Sequence, residues 1–430
     1  VPTYVTTRAE LEAALLDGGE VVVDLAPDDP PIALDGGGVT ITVPLTSVTG
    51  GRFTVTGGPA FTITADDVAL TGLRITGGRD LLPPGTTAGG ADAYDPGQRL
   101  VHAVGTAVSP LTGLRIRDLV LEGSRADNVW LEWCHDSQVT GCRIERYLYS
   151  GVMIISGRRI TVSHNHVLDA PLLDGPGQPV NTYGIALTDL DDDDEARTRD
   201  CIVASNHVSL IDWEGIDTHG GERITITGNH VTACVTGIAL VSGNPTRTIA
   251  PRDCVVTGNT VSAIDARRPL HQGIVLYGLA GVPASATIVG NQVLGWTADA
   301  AFLTNYWDRT ATLITGNRPP FVPWSAVVMG ADYTANATYV PRYRVDGNTV
   351  SLRGGVIPKS GGVASRVACG QLTDPAAWPD TFTVVCLLKG SNHAAGTAQL
   401  AVTPTGALQV LYGTGTDAFT YFLHGSYQVP

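Results

Sequence analysis

The stretch Arg223-Ile-Thr-Ile-Thr-Gly-Asn229-His-Val231 decides the fold. Ile224 and Ile226 alternate with polar residues, the pattern of a short strand with one buried face. A Thr-Gly pair turns the chain, and an asparagine follows with an apolar residue two positions on. The frame recurs in Ser-His-Asn165-His-Val, Ala-Ser-Asn206-His-Val, Thr-Gly-Asn259-Thr-Val, Val-Gly-Asn291-Gln-Val and Thr-Gly-Asn317-Arg. Upstream, Cys142, Asp118 and Leu73 fit it as well, so the steps run 45, 24, 23, 41, 23, 30, 32 and 26 residues. Self-similarity at such a period marks a solenoid, here one made of strands. The minimum near 23 is one coil, and longer steps are the same coil carrying a loop. An asparagine at one turn of every coil can bond its neighbours' backbone and accept a left-handed conformation, so the ladder is structural.

Two strands per coil are readable. One ends at the ladder, as in Arg159-Ile-Thr-Val-Ser and Asp253-Cys-Val-Val-Thr. The other starts at a glycine, as in Gly151-Val-Met-Ile-Ile, Gly184-Ile-Ala-Leu-Thr, Gly215-Ile-Asp-Thr-His, Gly237-Ile-Ala-Leu-Val and Gly273-Ile-Val-Leu-Tyr. Both alternate with period two, which stacks Val152, Ile185, Ile216, Ile238 and Ile274 inside. Cys201 and Cys254 each lie five residues before a ladder asparagine, with Ile224 between them in one inward column, so they read as core thiols.

Residues 3–18 hold an amphipathic helix in which Thr7 and Glu10 form a capping box; Val21–Asp24 follows as a strand. Residues 1–38 are therefore expected to cap the open end of the solenoid, 39–320 to form its coils, and 325–430 to form a separate antiparallel β domain. The last carries hairpin-like runs, Asn348-Thr-Val-Ser-Leu-Arg and Ala398-Gln-Leu-Ala-Val followed by a Thr403-Pro-Thr-Gly turn. Pro319-Pro-Phe-Val-Pro-Trp324 reads as the linker. Long insertions fall at 79–101, 169–182, 189–200, 243–252 and 279–285, where a rigid scaffold tends to carry binding residues.

Composition narrows the function. Only 16% of the 430 residues are charged while 51 are glycine, which suits short strands and tight turns. The net charge of −14 is opposite to what a duplex-binding protein needs, so nucleic acid is excluded as a partner. No apolar run is long enough to span a bilayer. The chain opens at Val1 without a signal-peptide pattern, so a processed start or a larger polypeptide is expected. Seven cysteines, an odd number, cannot all pair within the chain; Cys369 and Cys386 are near enough in sequence to be considered as a bridge.

The coil pattern over roughly residues 1–317 resembles the right-handed parallel β-helix of pectate-lyase-like proteins. The segments Tyr343-Arg-Val-Asp-Gly-Asn-Thr-Val-Ser-Leu-Arg-Gly-Gly-Val356, Ala398-Gln-Leu-Ala-Val-Thr-Pro-Thr-Gly-Ala-Leu408 and Tyr421-Phe-Leu-His-Gly-Ser-Tyr427 resemble the terminal domains of tail fibre and minor tail proteins of phages that infect actinobacteria. The resemblance implies an all-β tailspike or tail fibre in the virion tail, assembled as a homotrimer with other phage tail proteins. It also implies contact with a bacterial cell-surface polysaccharide, and, in some members, its cleavage.

The outward positions of the glycine-led strand read, coil by coil, Trp130/Glu132, Met153/Ile155, Ala186/Thr188, Asp217/His219, Ala239/Val241, Val275/Tyr277 and Phe302/Thr304. One rung differs in kind. Asp217 and His219 are two apart on one strand and point the same way, with Trp213 and Glu214 at the turn before them. Tyr149 and Tyr183 lie on preceding coils and His271 on a later one. Paired carboxylates with a histidine are what glycan cleavage uses, and a basic group beside a uronate is what a lyase uses. Glu214, Asp217 and His219 are thus the expected catalytic residues. Trp213, Tyr183, Tyr149, Glu132, Trp130, His271 and Tyr277 are the expected sugar contacts. Glu132, three rungs or about 14 Å away, could extend a groove but not share a proton. The apolar outward residues Met153, Ile155, Ala239, Val241 and Val275 point to a face covered by a loop or by a neighbouring subunit. In the run Asp189-Leu-Asp-Asp-Asp-Asp-Glu195, Asp189, Asp191 and Asp193 are weak calcium candidates; the spacing is not that of an EF-hand, and a solvated loop is the expectation. Attachment to a surface glycan is the favoured function, ahead of a polysaccharide depolymerase, lyase or hydrolase, and of a purely structural fibre.

Overall fold

The computed structural model describes the chain apart from residues 80–93, 172–180, 190–193, 243–247, 297, 320–324, 332, 336–339, 347–348, 359–367, 382, 390–396, 412–420 and 430. It divides into two compact units, Val1–Phe321 and Val322–Pro430.

In the first unit the chain winds through three parallel sheets of 12, 10 and 10 strands. The first sheet holds the strands that end at the ladder, such as Thr225–Thr227, and the third the glycine-led strands, such as Glu214–His219. The second is made of strands mostly of three residues, such as His230–Thr232. Its members had merged with the turn in the sequence, because three residues do not establish an alternation; they are the apolar residue two places beyond each asparagine, Val167, Val208, Val231, Val261 and Val293. Side chains of all three sheets fill one continuous apolar core. Each fully buried valine or isoleucine contributes about 1.5–3 kcal/mol.

Two backbone features fix the stacking. Asn206 receives hydrogen bonds on its Oδ1 from the backbone N–H and the amide of Asn165, and donates its own amide to the Val162 carbonyl and to Asn229 Oδ1, all at 2.9–3.0 Å. The series continues through Asn259 and Asn291 to Asn317. The left-handed conformation belongs to the residue before each asparagine: His164, Ser205, Gly228, Gly258, Gly290 and Gly316 have φ between +57° and +68°. The glycines near the start of five successive third-sheet strands, Gly151, Gly184, Gly215, Gly237 and Gly273, are required by close approach. A Cβ at Gly237 would lie 2.6 Å from the Gly273 carbonyl, and one at Gly151 would lie 2.6 Å from that of Gly184.

Two register expectations are corrected. Val120 pairs with Arg143, which puts Leu119, not Asp118, opposite Cys142 in the ladder column. Asp118 holds the left-handed position instead, with φ +55°. In the last coil Phe302 and Thr304 pair with the inward residues Ile274 and Leu276, so Leu303 and Asn305 are the outward pair. The helical turn Ala298–Ala301 replaces the opening glycine there and shifts the frame by one.

At the N-terminus the helix is Arg8–Asp17, with the Thr7–Glu10 capping box in place. Thr3–Val5 is not helical: it forms the outermost strand of the first sheet, paired with Glu20–Val23. Leu11, Ala14 and Leu15 bury against the first coils. Cys201 and Cys254 sit inside the core as free thiols, and Cys369 is a free buried thiol too; the Cys386 side chain lies outside the described residues, as do most of the proline-rich 319–324 segment and the tip of the acidic run.

The second unit is one antiparallel sheet. Arg342–Asp346 pairs with Thr349–Pro358, which in turn pairs with Tyr421–Gln428. Thr397–Val402 pairs with Ala407–Leu411 through the Thr403–Gly406 turn. Val350, Leu352, Leu400 and Leu408 centre its own apolar core.

Candidate glycan site on the third sheet

The outward faces of five successive third-sheet strands stack Trp130 on Met153, Met153 on Ala186, Ala186 on Asp217 and Asp217 on Ala239. Parallel strands lie about 4.8 Å apart, so side chains far apart in sequence share one surface. That surface folds in around a pocket of about 230 Å³, walled by Trp130, Tyr149, Met153, Ile155, Tyr183, Ala186 and Thr188, with Asp189, Asp217 and His219 at its polar side. Aromatic rings run along it: Tyr94 is tilted against Tyr149 at 5.8 Å, and Tyr149 with Tyr183 at 5.5 Å and Tyr183 with the His219 ring at 5.8 Å meet edge to face.

The polar side has unusual chemistry. His219 Nε2 stands 3.1 Å from Asp217 Oδ2 and 3.6 Å from Glu214 Oε2. Asp217 is 1% exposed, and neither of its carboxylate oxygens has a hydrogen-bond partner. Burial pushes Asp217 well above the usual carboxylate range; His219 opposes the rise and Glu214 adds to it. Burial likewise holds the Tyr149 and Tyr183 phenols far above their ordinary value, so both stay neutral. Asn181 donates its amide to the Tyr183 hydroxyl at 3.0 Å.

Asp189 is buried and lines the pocket, its Oδ1 accepting from the Thr198 backbone N–H. The solvated-loop expectation therefore fails for Asp189, because it directly continues the strand Tyr183–Thr188 and is held there by Thr198; Asp191 and Asp193 lie outside the described residues. Among the described residues, the group with metal-ligand spacing is Glu214, Asp217 and His219, whose ligand atoms lie within 4.8 Å of one another.

Of the expected sugar contacts, Trp130, Tyr149 and Tyr183 line the pocket and four others do not. Glu132 accepts from Trp130 Nε1 at 3.0 Å and braces that ring. Trp213 stands edge-on to His271 at 5.1 Å, and Tyr277 to Tyr306 at 6.1 Å. Met153, Ile155, Ala239 and Val275 are 3%, 5%, 1% and 5% exposed. The chain itself buries these four, whereas Val241 is half-buried.

Behind the pocket lies a group that period reading could not reach. Arg99 stacks over the Trp130 ring at 3.7 Å and places Nε 3.2 Å from Asp127, which also accepts from Ser150 Oγ. Asp127 is fully buried, and desolvation raises it to about 6 against the opposing pull of Ser150 and Arg99. His102, one rung before Trp130, lies 3.2 Å from Arg99 and is lowered to about 4, chiefly by burial and then by the Arg99 charge.

Residues 99–261, which contain this site, match the model of the right handed beta helix region family. No curated protein matches the chain. Among solved structures it is similar to the Dettilon tailspike protein at 12% identity, covering 99% of this chain and 94% of that one, with a TM-score of 0.44. The catalytic unit of an alpha-1,3-glucanase from Streptomyces thermodiastaticus is 16% identical, with 72% of this chain and 65% of that one covered and a TM-score of 0.42. The receptor binding protein of Listeria phage PSA is 19% identical over 26% of this chain and 66% of that one, with a TM-score of 0.22.

Proposed function

We propose that this chain is a phage tailspike or tail fibre protein that holds a bacterial surface polysaccharide in the Trp130–Tyr183–His219 pocket. The tail assignment rests on the C-terminal sequence resemblance, and with it come the homotrimer and the virion tail location. The observation that carries glycan binding is the pocket itself. Aromatic walls offer apolar faces to sugar rings, and a few convergent polar groups at one side fix orientation, which is how small-ligand sites are built. Among the described lining residues the charged groups are Asp189, Asp217 and His219. A lining with two carboxyl groups and, among the described residues, no arginine or lysine suits an uncharged or amine-bearing glycan better than a uronate.

Cleavage is the second reading, favoured by the convergence of Glu214 and Asp217 on His219. Two carboxyl groups held together beside a sugar pocket can serve as acid and as base or nucleophile. The acidic surroundings favour hydrolysis over elimination, since a lyase must also stabilise a uronate anion. The test is co-sedimentation with cell-wall polysaccharide of actinobacterial hosts, with reducing ends and unsaturated-sugar absorbance followed in parallel. Saturable sedimentation without new ends supports attachment. New ends that vanish in Asp217→Asn support a depolymerase. Neither binding nor cleavage with any such polysaccharide overturns the glycan reading.

A further inference from the structure

From the Glu214–Asp217–His219 cluster we infer a binding site for one divalent transition-metal ion, of the zinc or manganese kind, open toward the pocket. Three observations lead there. The first is spacing. Ligands about 2.1 Å from a common ion stand about 3.0 Å apart along an octahedral edge and about 3.4 Å apart along a tetrahedral one. His219 Nε2 lies 3.1 Å from Asp217 Oδ2 and 3.6 Å from Glu214 Oε2, the first at ligand-edge distance and the second just beyond it, and all three ligand atoms lie within 4.8 Å of one another.

The second is the unmet demand of the buried groups. Both Asp217 oxygens and Glu214 Oε2 are buried without a hydrogen-bond partner, at 1% and 8% residue exposure. Buried carboxylates are normally satisfied by several donors or by a metal. A dication would neutralise the two carboxylates and supply the partner that each lacks.

The third is the donor set. One imidazole and two carboxylates make three protein ligands of mixed nitrogen and oxygen type. That set suits zinc or manganese, whereas calcium takes oxygen ligands. Three protein ligands with a free position are the pattern of an accessible rather than a sealed site. The free position faces the pocket, because Asp217 and His219 line it. Glu214 and His219 belong to one strand, and Asp217 lies between them with its side chain on the His219 side. The sheet therefore pre-positions all three.

The inference is independent of glycan binding and its test contains no glycan. The full chain, stripped with a chelator and dialysed, is titrated calorimetrically with Zn²⁺, Mn²⁺, Ca²⁺ and Mg²⁺. The expected result is one equivalent of Zn²⁺ or Mn²⁺ at micromolar or tighter affinity, with Ca²⁺ and Mg²⁺ at least tenfold weaker. Asp217→Asn and His219→Gln should each weaken it at least a hundredfold, and the Mn²⁺ spectrum should show nitrogen coupling that His219→Gln removes. His219 is partly exposed, so that variant is expected to fold where a core change would not. Absence of stoichiometric binding to the wild-type chain, or equal binding by the His219→Gln variant, overturns the site. A failed glycan assay leaves it standing.

Discussion

Two stacks of largely buried side chains run through this molecule, and they are built on opposite principles. In the ladder from Asn165 to Asn317 each asparagine repeats its predecessor and every amide finds a backbone or side-chain partner. On the outer face of the third sheet, from Trp130 to Tyr277, no two rungs carry the same pair, and neither oxygen of the buried Asp217 carboxylate has a hydrogen-bond partner. Repetition with full satisfaction marks scaffold. Singularity with an unmet group is what singles out the proposed site.

The largest effect should come from breaking the ladder. Asn229→Leu would strand the Asn206 N–H and the Val203 carbonyl in the core. At about 1–3 kcal/mol per orphaned group, a loss of about 3–5 kcal/mol is expected in chemical denaturation. Next comes Asp127, partnered yet desolvated. Its folded pKa of about 6 lies above the ordinary carboxylate value, so the folded state binds the proton more tightly. Stability should therefore fall as pH rises from about 4 to about 6 and then level off. The drop should be about 2–3 kcal/mol, and Asp127→Asn should flatten it.

How far each stack could be foreseen follows the same division. The ladder, the inward columns and the hairpins of the second unit were legible, because each rests on a local period. So was the Asp217–His219 rung, since period two alone puts both on one face. The pocket was not, because its walls come from coils joined only by stacking. Arg99 and Asp127 gave no signal, since nothing local distinguishes a stacked arginine from a solvated one. Asp118 and Phe302 were misplaced by one residue where a left-handed aspartate and a helical turn stood in for the usual glycines.

The smaller predictions sharpen the contrast. Trp130→Ala removes a pocket wall and the seat of Arg99, and should weaken polysaccharide sedimentation about tenfold, or 1.4 kcal/mol. Asp217→Asn should leave stability within about 1 kcal/mol of the parent, because no hydrogen bond to that carboxylate is lost; a penalty as large as that of the ladder variant would erase the distinction. Smallest of all, Arg223 reaches Asp200 on the coil surface at 2.6 Å with both side chains well exposed. Arg223→Ala should shift the melting midpoint by the equivalent of less than about 1 kcal/mol.

The ladder has a further consequence for how such chains change. Asn165 reaches Asn206 across 41 residues and Asn206 reaches Asn229 across 23, yet both side-chain bonds measure 3.0 Å. Added length between two asparagines has no leverage on the bonds at either end. A segment cut from one asparagine to the next can therefore be excised, duplicated or traded with a relative as a module. The surface can be rewritten in this way, loop by loop, while the stack beneath keeps its joints.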